Sequence, residues 1–206
     1  ITPDDSPESI NLPVGTRFTT TIDNIVYVFT TLEAYNIVSE DGVYSADIYI
    51  TEGNRVQESY TVDSNNPVRF FLNNVGADTS TLTVTVQNSS SDNTITTFTK
   101  ADDLTEVTSI SNAYFLNEVE DEKFEVYFGD GVLGRDLSDG NIVRLNYNVV
   151  NGSITNNANL FVAESTLGGY DNFTVTTLQN AAGGSDIETI ESIKHNAPAA
   201  YLSQNR

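Results

Sequence analysis

The 206 residues carry 29 Asp and Glu against 9 Lys and Arg, a formal charge of -20. The cations stand singly along the chain, so the clustered Lys and Arg that displace counterions from nucleic acid or dock on an anionic membrane are missing. Cys is absent, which excludes disulfides and thiolate metal sites, and no run approaches the roughly 20 apolar residues of a membrane-spanning helix.

The remainder is 38% hydrophobic and rich in Thr, Asn and Ser, a composition that suits a β-rich protein with a real core. Residues 1–13 hold Pro3, Pro7 and Pro13 among Asp, Ser and Glu and read as a lead-in that sustains neither helix nor central strand, so the globular part is expected from Val14. Residues 17–22 and 25–31, joined by Asp23-Asn24, predict a hairpin whose second strand is apolar on both faces and therefore central. Residues 46–51 and 55–62, around Glu52-Gly53-Asn54, predict a second hairpin. A further strand is expected at 68–72. In 81–87, Leu82, Val84 and Val86 alternate with Thr and face inward. Residues 94–100 and 112–117 predict two more strands, and the acidic stretch 118–122 a turn.

Phe124, Val126 and Phe128 then alternate with Glu125 and Tyr127, and Val143, Leu145, Tyr147 and Val149 with Arg144, Asn146 and Asn148. This is the period of two half-buried strands. The loop between them sets Gly129, Gly131, Gly134 and Gly140 beside Asp130, Asp136 and Asp139, which predicts a hairpin tip of fixed shape with backbone at positive φ. Its Gly-x-Gly-x-x-Gly spacing matches a dinucleotide fingerprint, but turn chemistry follows where that site needs a helix N-terminus, and the acidic side chains repel phosphate. Calcium on the three aspartates is the chemical alternative to a purely turn-forming role, though the spacing is not that of an EF-hand.

Beyond Val150 the pattern loosens, with an apolar run at 160–163 and a last strand expected at 173–178. Ser185 with Glu188 three residues on then forms a capping box after Gly183-Gly184, and Ile187, Ile190, Ile193 and Ala197 recur at helical spacing up to Pro198. The expected fold class is mainly β, a β-sandwich or meander of strands followed by a C-terminal α-helical segment. Its divisions are a lead-in (1–13), a β-rich domain (14–122) and a second β segment with the C-terminal helix (123–206). The start at Ile1 and the lack of Met read as a piece of a longer polypeptide.

Catalysis finds little support. His195 is the single histidine and falls on the polar side of the terminal helix, zinc sites of the catalytic kind need more imidazoles, and Trp is absent as a sugar platform. No carboxylate reads as sitting in an apolar strand that would raise its pKa for acid catalysis. No catalytic residue, metal ligand, cofactor or small-molecule substrate is therefore predicted.

Phe128-Gly129-Asp130-Gly131-x-x-Gly134, Gly140-Asn141-x-Val143 with Tyr147, Gly183-Gly184-x-Asp186-x-Glu188 with Ile193, and Ala197-Pro198 with Gln204-Asn205-Arg206 resemble the baseplate J-like family. Upstream, Val14-Gly15-Thr16-x-Phe18 with Tyr27-x-Phe29-Thr30-Thr31 is similar to the family's Gly-Thr hairpin, so the resemblance spans 14–206. It implies a structural protein of the tail baseplate wedge of contractile-tailed phages, located in the virion after assembly in the bacterial cytoplasm. Its partners would be other wedge subunits, with a homodimer in the full-length protein and no nucleic acid or membrane. Gly129, Asp130, Gly131, Gly134 and Gly140 would fix the loop, and Ser185, Glu188, Ile187, Ile190 and Ile193 would cap and pack the helix. The competing expectation is a carbohydrate- or receptor-binding β-sandwich of an adhesin, and a carboxylate hydrolase comes third.

Overall fold

A computed structural model describes residues 7–65, 69–120 and 123–186. Strands alternate with Gly, Asn and Asp turns. The first half supplies β1 (Ser9–Leu12), β2 (Arg17–Ile22), β3 (Ile25–Thr30), β4 (Tyr35–Glu40), β5 (Val43–Tyr44), β6 (Thr51–Glu52), β7 (Asn54–Thr61), β8 (Phe70–Leu72) and β9 (Ala77–Gln87). The second half adds β10 (Ile95–Lys100), β11 (Ala113–Val119), β12 (Lys123–Phe128), β13 (Ile142–Val149) and β14 (Val162–Ala163). The chain is mainly β, in three sheets ordered β7-β13-β9-β10-β11-β12-β8, β14-β2-β3-β6 and β1-β4-β5.

The seven-stranded sheet rolls around one core. Val143, Leu145 and Tyr147 on β13 are fully buried, and Val84, Val126 and Leu72 meet them from β9, β12 and β8. Edge-to-face contacts of Phe70 with Tyr60 (5.6 Å) and of Phe128 with Phe70 and Phe98 (5.4 and 5.2 Å) fill the space between the sheet's two ends.

Those ends, β7 and β8, meet through side chains at a seam. Glu58 lies opposite Leu145 in the β7–β13 register, which puts its carboxylate on the core face. Oε1 accepts from the Tyr147 hydroxyl (2.6 Å) and the Asn73 amide (3.1 Å), and Oε2 from the Tyr60 hydroxyl (2.6 Å) and Asn73 Nδ2 (2.8 Å). Four donors fill the lone-pair positions of an ionised carboxylate. The Tyr60 oxygen also lies 2.8 Å from the Phe71 carbonyl, so the network bridges the edge strands directly.

A second core, with Ile10, Leu12, Phe18, Phe29, Ile37 and Leu167, lies between the two smaller sheets. Asn148 joins it to the rolled sheet. From β13 its Nδ2 donates to Thr30 Oγ1 on β3 (3.1 Å) and to the Glu52 carbonyl on β6 (3.2 Å), and its own amide donates to Thr81 Oγ1 on β9 (2.8 Å). Asn148 is fully buried and sits where the β13–β9 register shifts, so a bulge aims it between the modules.

Several expectations need correction. Ser9–Leu12 is an edge strand with Ile10 and Leu12 buried, so the packed part of the chain begins before Val14; Pro7 and Pro13 only flank it, and no ladder donor is lost. The predicted hairpin at 46–62 does not form. β6 pairs with β3 and β7 with β13, because the chain changes sheets at Gly53 (φ 123°), where a Cβ would stand 2.9 Å from both Asn148 Cβ and the Val149 carbonyl. Residues 173–178 are not a strand, although Phe173 packs on the second core. The 17–31 hairpin forms as expected, Asp23 and Asn24 taking φ 50° and 65° in its turn, and β3 is central in its sheet.

Leu145→Ala is expected to cost about 2–5 kcal/mol in thermal or urea unfolding, against under about 0.5 kcal/mol for Leu160→Ala at an exposed position. The seam also predicts alkaline sensitivity. Burial, and then the bond to Glu58, push the Tyr60 phenol from an ordinary 10.0 up to about 12, and the same causes raise Tyr147. A phenol raised in the folded state contributes stability that is complete below pH 10 and is lost as pH rises from 10 through 12. Urea midpoints should fall over that window and fall less in Tyr60→Phe; equal declines in both proteins would contradict the role given to the seam.

Candidate interaction surface

The glycine loop is not a hairpin tip. β12 pairs with β11 and β8, whereas β13 pairs along its length with β7 and β9, so residues 129–141 cross one end of the rolled sheet. Leu137 packs on the core from this crossing.

Gly129 lies against the backbone of Gly134, where a Cβ would come within 2.2 Å of the Gly134 carbonyl carbon, and Gly131, Gly134 and Gly140 have φ of 81°, 86° and 80°. Five consecutive amides donate inward. Gly131 N bonds the Gly134 carbonyl (3.0 Å), Val132 N and Leu133 N bond Asp130 Oδ1 (3.0 Å each), Gly134 N bonds the Thr108 carbonyl (3.1 Å), and Arg135 N bonds the Ser111 carbonyl (2.9 Å). These bonds to Leu133 and Val132 hold the Asp130 carboxyl below its ordinary range. The five amides from Gly131 to Arg135 are thus committed to acceptors within the protein.

The other two aspartates have different neighbours. Asp139 Oδ1 accepts from Ser64 N (2.9 Å), and Asp136 borders a depression of about 10 Å³ with Val86, Phe98 and Leu137, room for about one water. Among the described residues no group of three or more His, Cys, Asp or Glu could hold a metal ion. A groove of about 260 Å³ runs between Pro13–Arg17 and 164–168, and its carboxylate, Glu164, is paired with Arg17.

The second motif also acts as a fastener. Gly184 N donates to Asn156 Oδ1 (3.0 Å) and the Gly184 carbonyl accepts from Asn156 Nδ2 (2.8 Å), while a Cβ on Gly184 would stand 2.4 Å from the Gly152 carbonyl. Asp186 Oδ1 accepts from Ser153 N (2.8 Å) and Oδ2 from Ser153 Oγ (3.0 Å), in the 3-10 turn Gly152–Thr155. These bonds hold Asp186 below the usual carboxylate range. Gly183-Gly184-Ser185-Asp186 thus clamps the turn that follows β13. Ser185 is exposed and non-helical, and the predicted helix with Ile187, Glu188, Ile190 and Ile193, like His195, lies outside the described residues.

Beside its exposed charged side chains the loop also presents apolar ones outward. Val132 is 78% exposed and Ile110, in the segment to which the loop is bonded, 82%. The sequence reading passed over Ile110, and equally over Glu58. The signal for Glu58 was the run Val56-x-Glu58-x-Tyr60, whose alternation puts the carboxylate on the same side as its apolar neighbours.

No family model matches the chain, and no curated protein matches it. The likeness to baseplate J-like proteins rests on the residues quoted from the sequence.

Gly129→Ala forces backbone apart and is expected to lower stability by more than the about 1–2 kcal/mol of Gly140→Ala, which meets only left-handed strain in open space. Urea unfolding of the two variants checks this, and equal costs would mean that Gly129 and Gly134 are not in contact.

Proposed function

We propose that this chain is a structural part of a phage tail baseplate wedge, contributing to the inner baseplate ring of a contractile injection apparatus through protein contacts. The observation that carries the reading is the use made of Phe128-Gly129-Asp130-Gly131-x-x-Gly134. Phe128 packs in the core, the glycines and Asp130 lock one backbone shape, and Val132 is held out to solvent. A motif used for shape suits a protein that offers surfaces to neighbours, and Asp130 and Asp139 of the loop accept bonds in the same work.

On this reading the partners are other wedge subunits, the full-length protein is a homodimer, and no substrate is turned over. A C-terminal helix capped by Ser185, with Glu188 in its first turn, would offer Ile187, Ile190 and Ile193 as a further packing face, launched from the Asp186 clamp.

Co-expression with the tail proteins encoded beside it, followed by size-exclusion chromatography with light scattering, tests the proposal. Co-elution at the mass of a defined complex is expected, and Val132→Asp should weaken it. Elution of the chain alone, together with saturable binding on a glycan array, would replace this reading with the adhesin.

A further inference from the structure

The loop end of the rolled sheet combines exposed apolar side chains with a predominance of acidic ones. The bonds from Gly134 and Arg135 to Thr108 and Ser111 tie the crossing to the segment 104–112, and this shared surface leaves Leu104, Ile110, Val132 and Leu133 exposed. Exposed apolar groups gathered on one built surface are the mark of a protein contact. In sequence these apolar residues are flanked by the exposed Asp102, Asp103, Glu106, Asp130 and Asp136. Two cations share the surface, Lys100 paired with Asp102 (3.4 Å) and Arg135 hydrogen-bonded to Asn112 Oδ1 (3.3 Å), so the balance remains acidic.

We infer that this end receives a segment of another polypeptide that carries apolar side chains flanked by Lys or Arg. The inference rests on reading the chain as an assembly component, and it adds the chemistry of the partner. Charge selects the occupant. A second copy meeting this end with its own would set two acidic rims face to face in molecules that each carry -20, and nucleic acid or an anionic membrane would meet the same repulsion. A basic segment gains from steering by the rim and from burying its apolar groups on Ile110 and Val132. Bonds from Thr105 to Asp103 and from Leu133 and Val132 to Asp130 hold these two carboxyls below the ordinary range.

The test uses the full chain and an amphipathic peptide of leucine and lysine, with a leucine and glutamate peptide as its counterpart, followed by fluorescence anisotropy. The lysine peptide should bind and the glutamate peptide should not. Ile110→Ser with Val132→Ser should weaken binding about tenfold, the scale of lost interface anchors. Asp103→Asn with Glu106→Gln should weaken it more than Glu40→Gln with Asp41→Asn, which removes the same charge at the exposed β4–β5 turn. If both charge pairs act equally, or the serine variant binds like the parent, the inference is overturned. Circular dichroism checks the fold, and Ile110→Ser alone gives the same answer should the double variant unfold. Peptide binding that survives while no tail protein co-elutes would remove the baseplate reading and leave this surface standing; the reverse would remove this inference alone.

Discussion

Strand β13 is the constraint from which the architecture follows. It is paired on both edges, with β7 across all eight of its residues and with β9 around a bulge, and its inward side chains Val143, Leu145 and Tyr147 are fully buried. With both edges taken, β12 cannot turn back to pair with it. The connection must cross the end of the sheet, and a crossing in solvent keeps one path only if its own backbone groups are satisfied. Gly129, Gly131, Gly134 and Asp130 do this locally, and Thr108 and Ser111 complete it from the neighbouring segment.

The same strand organises what lies at its other end. Asn148 reaches across the bulge to Thr30 and Glu52, so a buried amide side chain ties the sheet β14-β2-β3-β6 to β13. The Glu52 carboxylate then takes both Asn151 N (3.0 Å) and Asn151 Nδ2 (2.7 Å), and Asp186 takes Ser153. The glycine motif at 128–134 and the Gly-Gly-x-Asp motif at 183–186 thus bracket β13, one shaping the path into it and the other fastening the turn after it. The Gly-Thr segment is a third fastener. Gly15 N and Thr31 N exchange bonds with the Thr31 and Thr16 carbonyls (2.8 and 3.1 Å), and both threonine hydroxyls donate to the Pro13 carbonyl.

Local pattern carried much of this, and long-range pairing carried the rest. Alternation identified the buried faces of β9 and β13, because Val84, Val86, Val143, Leu145 and Tyr147 repeat with period two. The Asp23-Asn24 turn revealed its hairpin because both residues tolerate positive φ. Pairing partners were not legible: Gly53 read as a hairpin turn, whereas its bare backbone allows close packing on β13 and a change of sheet. Strand β1 was hidden by its flanking prolines, and β4 and β5 gave no pattern that stood out. Glu58 shows the opposite failure. Its alternation was visible, but a carboxylate on a core face makes sense only once Asn73 and Tyr147 are brought from distant parts of the chain to join Tyr60 on its own strand.

The central claim is that the crossing at 129–135 owes its shape to bonds within the protein and not to a bound ion or nucleotide. Amide hydrogen exchange at Gly131, Gly134 and Arg135 measures this most directly, because their acceptors are backbone carbonyls. The account predicts slow exchange that calcium or a dinucleotide leaves unaltered. Exchange at free-peptide rates, or protection that arises only when calcium or a dinucleotide is added, would contradict it.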